Sequence, residues 1–126
     1  MAIEFGRVIP VLRMFSIEKA KEFYVGFLGF TIDWEHRFED GLPIYMQVSR
    51  GNVVLHLSEH HGDGSPGANV RIEMTGLDEF HAELAAKKYG YGRPGIREQE
   101  WGERSVTTLD PFHNQLHFCE RLPNRP

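Results

Sequence analysis

The chain has 126 residues, the usual size of one domain, and its 40% hydrophobic and 25% charged content excludes a disordered or fibrous protein. A net charge of −4 and scattered basic residues argue against nucleic-acid binding. No window approaches the run of about 18 apolar residues that forms a membrane helix. The single cysteine, Cys119, cannot form an intramolecular disulfide. We therefore predict a cytoplasmic, single-domain protein (residues 1–126) with a small-molecule ligand and no nucleic-acid or membrane partner.

The first half of the chain is patterned as a strand, a helix and then further strands. Residues 8–12 form a short apolar run with a central proline, which predicts an edge strand. Ser16 is a candidate N-cap for a helix whose apolar stripe covers 17–28 and which ends at Gly29. The turn signals Asp-Gly and Arg-Gly-Asn then separate predicted strands at 30–38, 43–49 and 52–58.

The second half repeats that order after a glycine-rich loop at 60–67. A strand is predicted at 69–74, a helix at 77–88, and strands at 105–109 and 115–119 joined by a turn at 110–114. The sequence itself also repeats. Leu-His-Leu-Ser-Glu at 55–59 matches Leu-His-Phe-Cys-Glu at 116–120, and the two helix ends share the same offset of 61 residues. Together these repeats predict a duplicated βαβββ module, at about 5–60 and 68–121.

On these features the chain resembles the vicinal oxygen chelate superfamily, which includes glyoxalase I, ring-cleaving dioxygenases, fosfomycin-resistance enzymes and bleomycin-resistance proteins. Ile9-Pro10-Val11-Leu12, Glu22-Phe23-Tyr24 and Leu28-Gly29-Phe30 are similar to its first strand and helix. Glu100-Trp101-Gly102, followed by a strand and Asp110-Pro111, is similar to the bleomycin-resistance branch. The resemblance implies an α+β fold of two tandem βαβββ modules forming curved mixed sheets around a concave cavity.

The resemblance also implies a function and an assembly. Proteins of the bleomycin-resistance branch are homodimers that exchange an N-terminal strand and sequester the antibiotic without chemistry. In the turn at 110–114, His113 stands where the family often has glycine. Histidine tolerates a positive φ better than most other residues, so we expect the turn to persist.

A metal-dependent enzyme is the alternative. In catalytic members of the superfamily four positions bind a divalent metal, and the resemblance places these at Ile9, His56, Asn69 and His117. Ile9 cannot ligate a metal and Asn69 is a weak oxygen ligand, whereas a catalytic zinc site normally has three protein ligands. We therefore expect no cofactor. The alternative is a lyase, isomerase or dioxygenase that uses His56 and His117 with zinc, nickel, manganese or iron.

Alternation along the strands predicts which side chains face the cavity. His56 and His117 each lie between apolar residues that are expected to pack beneath the helices, so both histidines should face the cavity. Tyr45 and Gln47 alternate with two apolar residues and should share that orientation. Cys119 is expected to be a buried, inert thiol.

The candidate ligand-binding residues follow from these faces. Two tryptophans offer ring faces suited to a planar, partly cationic ligand such as bleomycin. Arg104 would either contact an anionic group of a ligand or pair with a glutamate. The complete predicted set is Trp34, Tyr45, Gln47, His56, Trp101, Arg104 and His117.

Overall fold

The computed structural model describes residues 2–37, 39–90 and 94–122 and has an α+β architecture with two curved sheets. Module 1 contains β1 (Val11–Arg13), α1 (Ile17–Ala20) with a π-helical continuation (Lys21–Phe27), β2 (Thr31–His36), β3 (Tyr45–Arg50) and β4 (Val53–Ser58). Module 2 contains β5 (Asn69–Glu73), α2 (Leu77–Ala86), β6 (Ile96–Gln99), β7 (Glu103–Leu109) and β8 (Gln115–Arg121). Among the described residues, no helix is long and apolar enough to cross a membrane.

The two four-stranded sheets have the same topology. Sheet A has the order β1-β4-β3-β2 and sheet B the order β5-β8-β7-β6. In each sheet the first and last strands of the module pair in parallel, and the other pairs are antiparallel. The shared order confirms the predicted βαβββ duplication.

Two strands differ from the prediction. β1 begins at Val11 rather than at residue 8, although the carbonyl of Pro10 still accepts a hydrogen bond from the His56 N–H at 2.9 Å. The sequence analysis missed β6, because Ile96–Gln99 has one apolar residue and no alternation typical of a half-buried strand. In the turn before β8, His113 has a φ of 69°, so the expected positive-φ histidine is confirmed.

The first helix begins and ends where the sequence predicted. The Ser16 hydroxyl accepts a hydrogen bond from the Lys19 N–H at 3.2 Å, as an N-cap does. The helix then widens, and the Leu28 N–H donates to the carbonyl of Phe23, five residues earlier, at 2.9 Å. Gly29 follows with a φ of 77°, and a Cβ there would lie 2.9 Å from an Arg50 nitrogen, so both conformation and space favour glycine.

The helices and one face of each sheet form a single hydrophobic core. From sheet A, Met46 and Leu57 are fully buried, and from sheet B so are Val106 and Leu116. Aromatic side chains of the first helix pack between the modules, and the Phe27 ring stacks on Tyr89 with centroids 4.7 Å apart. Because the core takes one face of each sheet, the opposite faces point away from the chain's own interior.

A buried turn of module 2, between β7 and β8, is hydrogen-bonded to module 1. The carboxylate of Asp110, 3% exposed, accepts hydrogen bonds from the Tyr24 hydroxyl at 2.6 Å and from the Phe112 and Asn114 backbone N–H groups at 2.8 Å. The Asn114 amide also donates to Asp110 at 2.8 Å and to the carbonyl of Arg13 at 3.0 Å. Burial, and then the Asp110 charge, raise the pKa of Tyr24. The Asp-Pro turn of module 2 is thus anchored in module 1.

Candidate ligand-binding site

The outward face of sheet A gathers four of the predicted residues. Gln47 of β3 lies between His56 of β4 and Trp34 of β2, and Tyr45 is two residues along on the same face. The Trp34 and Tyr45 rings stack with centroids 5.9 Å apart and an interplanar angle of 11°. The His56 ring lies edge-on to both, with centroids 5.3 Å from Trp34 and 5.1 Å from Tyr45.

A bulge brings an unpredicted carboxylate to this face. The register of β2 shifts between Ile32 and Trp34, so that Asp33 reaches the same side as Trp34 despite being its neighbour in sequence. The Asp33 carboxylate accepts hydrogen bonds at 3.0 Å from the Gln47 amide and from the Ser49 hydroxyl. These bonds, Gln47 first, lower the pKa of Asp33. Face A is defined by Asp33, Trp34, Tyr45, Gln47, Ser49 and His56.

Hydrogen bonds on face A hold His56 in one neutral form. The Tyr45 hydroxyl lies 2.6 Å from Nδ1, and Nε2 lies 2.9 Å from the Gln47 carbonyl oxygen. Gln47 is oriented by its donation to Asp33, so Nε2–H donates to Gln47 and Nδ1 accepts from Tyr45. Desolvation lowers the pKa of His56, which also favours the neutral ring.

The outward face of sheet B carries a cavity of about 680 Å³ that includes two further predicted residues, Trp101 and His117. Trp101 lies in the turn between β6 and β7 and is 65% exposed. We call this the face B cavity, and the described residues that line it are Arg71, Pro94, Gly95, Arg97, Gln99, Trp101, Glu103, Ser105, Thr107, His117 and Cys119.

His117 is held as His56 is. The Thr107 hydroxyl lies 2.9 Å from Nδ1, and the Asn69 amide oxygen lies 3.0 Å from Nε2. Both histidines therefore have a hydroxyl group at Nδ1 and an amide oxygen at Nε2. Both also lie on the outward face of their sheet, as the alternation of apolar neighbours predicted.

An ion pair that the sequence analysis missed lies in the face B cavity. Arg71 of β5 donates two hydrogen bonds to the carboxylate of Glu103 on β7, the first at 2.8 Å between Nη1 and Oε1. These bonds lower the pKa of Glu103, and a hydrogen bond from the Trp101 side chain adds to the effect. Alternation along β5 could place Arg71 on the same face as Asn69. Its pairing with Glu103 leaves no local sequence pattern, because β8 lies between β5 and β7.

The structure does not bring Arg104 to this cavity. Arg104 lies on the helix side of β7 and donates to Asp78 of α2 at 3.1 and 3.0 Å, and to Glu120 of β8 at 3.0 Å. Arg104 therefore pairs with a glutamate, as one of the two alternatives had it, but on the helix side of the sheet rather than across the cavity, and it does not line the face B cavity. Cys119 is buried, as expected, and burial raises the pKa of its thiol.

The two histidines do not share a site within one chain. They lie on different sheets, and both ring nitrogens of each are engaged in hydrogen bonds. The Asn69 oxygen is already bonded to His117. Across residues 2–37, 39–90 and 94–122, no three histidine, cysteine, aspartate or glutamate side chains are grouped closely enough to hold an ion. The donor set does not fit a three-ligand catalytic site.

Comparisons with known proteins agree with this fold. A family model described as "Glyoxalase superfamily protein" matches residues 1–124. Bleomycin resistance proteins of Geobacillus stearothermophilus and Staphylococcus aureus are each 28% identical over 132 residues, covering 90% of this chain and 96% of theirs. Both modules therefore fall within the region of similarity.

Two solved structures extend the comparison. A bleomycin-binding protein from bleomycin-producing Streptomyces verticillus, complexed with copper(II)-bleomycin, is 28% identical with a TM-score of 0.66, covering 93% of this chain and 97% of that one. TnmS3, an antibiotic binding protein from Streptomyces sp. CB03234, is 22% identical with a TM-score of 0.72, covering 96% and 98%. At that lower identity the second similarity shows the fold alone.

Proposed function

Because the chain belongs to the glyoxalase superfamily and resembles bleomycin resistance proteins along most of its length, we propose that it binds and sequesters a bleomycin-like antibiotic without transforming it. The observation that carries the proposal is the pair of tryptophans on the outward faces. Trp34 is 41% exposed on face A, and Trp101 is 65% exposed at the face B cavity. Exposed aromatic rings suit a planar ligand, because ring stacking and desolvation act together, and Trp101 also borders a cavity.

The charge on face A supports a ligand with a cationic part. Asp33 is ionised, and the Asp63 charge contributes to raising the pKa of Tyr45 after the larger effect of burial. None of the face A residues is a lysine or an arginine. A cation placed over the stacked rings of Trp34 and Tyr45 would gain a cation–π contact as well as attraction to Asp33.

We further propose that two copies of the chain form the complete site. Both faces point away from the chain's own core, so a second copy could cover them. The segment before β1 also leaves Ile3, Phe5 and Val8 between 87% and 95% exposed. An apolar segment of this kind gains stability when it packs on a partner. Sedimentation should show a dimer, and replacing Ile3, Phe5 and Val8 together by serine should shift the protein toward the monomer.

The proposed mechanism uses no metal and no catalytic group. The metal-dependent alternative requires His56 and His117 to release hydrogen bonds that the structure satisfies on both nitrogens. Instead, the histidine side chains would form part of the binding surface, as neutral rings held in place by their hydrogen bonds. Sequestration then depends on contact area and electrostatic match rather than on bond making.

Equilibrium dialysis followed by mass spectrometry tests this function. The protein should retain bleomycin in a fixed ratio to chains, and the drug released by denaturation should have an unchanged mass. A changed mass would show catalysis. No retention would show that the drug assignment is wrong. As a matched control, a variant with Trp34→Ala and Trp101→Ala should retain less drug while keeping the circular dichroism of the wild type.

A further inference from the structure

The polar groups of the two faces are complementary. On face A the charged group is the Asp33 carboxylate, which is exposed and can accept further hydrogen bonds. Of the described residues that line the face B cavity, two are arginines, Arg71 and Arg97, and one is a carboxylate, Glu103. Face A therefore offers a negative acceptor, and the face B cavity has an excess of positive donors.

The carboxylate in the face B cavity already has a cationic partner. The Glu103 side chain is only 8% exposed, and it accepts hydrogen bonds from both terminal nitrogens of Arg71. This buried, paired carboxylate is less accessible to a ligand cation than the exposed Asp33 of face A. The Arg71 side chain is 52% exposed. Its guanidinium has five N–H groups, and the pair with Glu103 uses two of them.

The neutral groups of the cavity add a further donor. The Thr107 hydroxyl and the His117 ring are bonded to each other, and the Cys119 thiol donates to the His117 carbonyl. The Ser105 hydroxyl oxygen accepts from Gln99 at 3.0 Å, which leaves its hydrogen available to a ligand. An acceptor group of a ligand that lies in this cavity can therefore bond to Ser105 as well as to Arg71.

We propose that the face B cavity receives a carbonyl-bearing, hydrogen-bond-accepting part of the ligand, that Arg71 donates to it, and that Glu103 is the positioning residue that holds Arg71. This inference rests on the proposed function, because it assigns the two ends of one bound molecule to two faces. The cationic end binds face A and the carboxylate- or carboxamide-bearing end binds the face B cavity.

Small probes can test each face separately, because the chain has two tryptophans, one at each face. We would follow the indole N–H signals by NMR, assigned with Trp34→Phe and Trp101→Phe variants. Acetate and acetamide should shift the Trp101 signal saturably and leave Trp34 unchanged, and tetramethylammonium should do the reverse. A response to acetate but not to acetamide would restrict the acceptor to anions. Equal responses at both signals, or the reverse assignment, would overturn the proposal.

Variants of Arg71 test the donor. Arg71→Met should weaken acetate binding roughly tenfold, as expected for loss of a charge-assisted hydrogen bond. Arg121→Met is the matched control, because Arg121 is on the same sheet and near Glu103 but does not line the cavity. If Arg71→Met does not fold, Arg71→Lys keeps the charge, removes the two-point contact and should still weaken binding. Unchanged acetate binding in the folded variant would contradict the role of Arg71.

The role of Glu103 has its own readout in the protein without ligand. Glu103→Gln should speed the hydrogen exchange of the Arg71 guanidinium N–H groups, followed by NMR, because it removes the carboxylate that accepts from them. Glu98→Gln on the neighbouring strand should leave that exchange unchanged. Equal exchange rates in both variants and the wild type would remove Glu103 as the positioning residue.

A titration with bleomycin distinguishes failure of the proposed function from failure of this inference. If acetate shifts Trp101 but bleomycin does not bind, only the drug assignment fails, whereas bleomycin binding that is indifferent to Arg71→Met contradicts this inference alone.

Discussion

The two modules hold their histidines with the same hydrogen bonds but surround them with different chemistry. His56 lies among the stacked rings of face A beside an exposed carboxylate, and His117 lies in a cavity beside the Arg71–Glu103 ion pair. The two modules thus share their strand order and the histidine position, and they differ in the neighbouring side chains. A ligand that touches both faces would meet two unlike surfaces, which favours a molecule with unlike ends.

The largest expected effect is on stability and concerns Asp110, in the module 2 turn that is hydrogen-bonded to module 1. Asp110→Ala would leave the Tyr24 hydroxyl and two backbone N–H groups without their acceptor in the core. We expect the free energy of unfolding to fall by about 3 kcal/mol or more. In module 1 the turn between β3 and β4 contains the exposed Asn52, so Asn52→Ala should change stability by less than about 0.5 kcal/mol. Urea denaturation measures both, and equal losses would contradict an anchoring role for Asp110.

The second prediction compares the tryptophans. Trp34→Ala should weaken bleomycin binding by about 1–2 kcal/mol, as expected for loss of a stacked and cation–π contact. Added salt should weaken binding to the wild type and to the variant alike, because it screens the attraction between Asp33 and a cationic ligand. Isothermal titration at two salt concentrations checks this. Leu42→Ala removes an equally exposed apolar side chain outside face A and should leave affinity unchanged.

A smaller effect is expected for pH. Desolvation lowers the pKa of His56, so the unfolded chain binds more protons than the folded chain between that lowered value and about 6.5. Stability should therefore fall as the pH decreases through this window and be fully present above it. Because the ring is partly exposed, we expect a change below about 0.5 kcal/mol. Thermal denaturation from pH 7 to pH 5 should show a shallower decline in His56→Gln than in the wild type. A steeper decline in the variant would contradict the assigned protonation.

The smallest effect is expected from metals. Calorimetric titration of chelator-treated protein with nickel, zinc, manganese or ferrous iron should show at most weak binding that His56→Ala and His117→Ala leave unchanged. The physical reason is that both ring nitrogens of each histidine already have partners. Tight, near-stoichiometric binding that is lost in His56→Ala would support the enzymatic alternative instead.

Period-two alternation was enough to orient most of the predicted site. It placed Tyr45 and Gln47 on the outward face and located both histidines there, because regular strands turn successive side chains to opposite sides. Alternation did not predict Asp33 on this face, because a bulge places it on the same side of the sheet as its sequence neighbour Trp34.

Contacts between distant elements were less accessible from the sequence. Arg104 was predicted to line the binding face because a charged residue is unusual in a core, but its partners Asp78 and Glu120 lie on the helix side of sheet B. Arg71 and Glu103 are separated by 32 positions and pair across an intervening strand. Such pairs depend on sheet order and register rather than on local pattern.

The most direct test of ligand binding at both faces is a fluorescence titration of two single-tryptophan variants, Trp34→Phe and Trp101→Phe, with bleomycin. Each variant retains one tryptophan, at the face B cavity or on face A respectively. We predict a saturable change in both, with midpoints within about tenfold of each other, as expected if one ligand spans the two faces as proposed. No saturable change in either variant would contradict sequestration of this drug, and a change in only one would contradict a ligand shared between the faces.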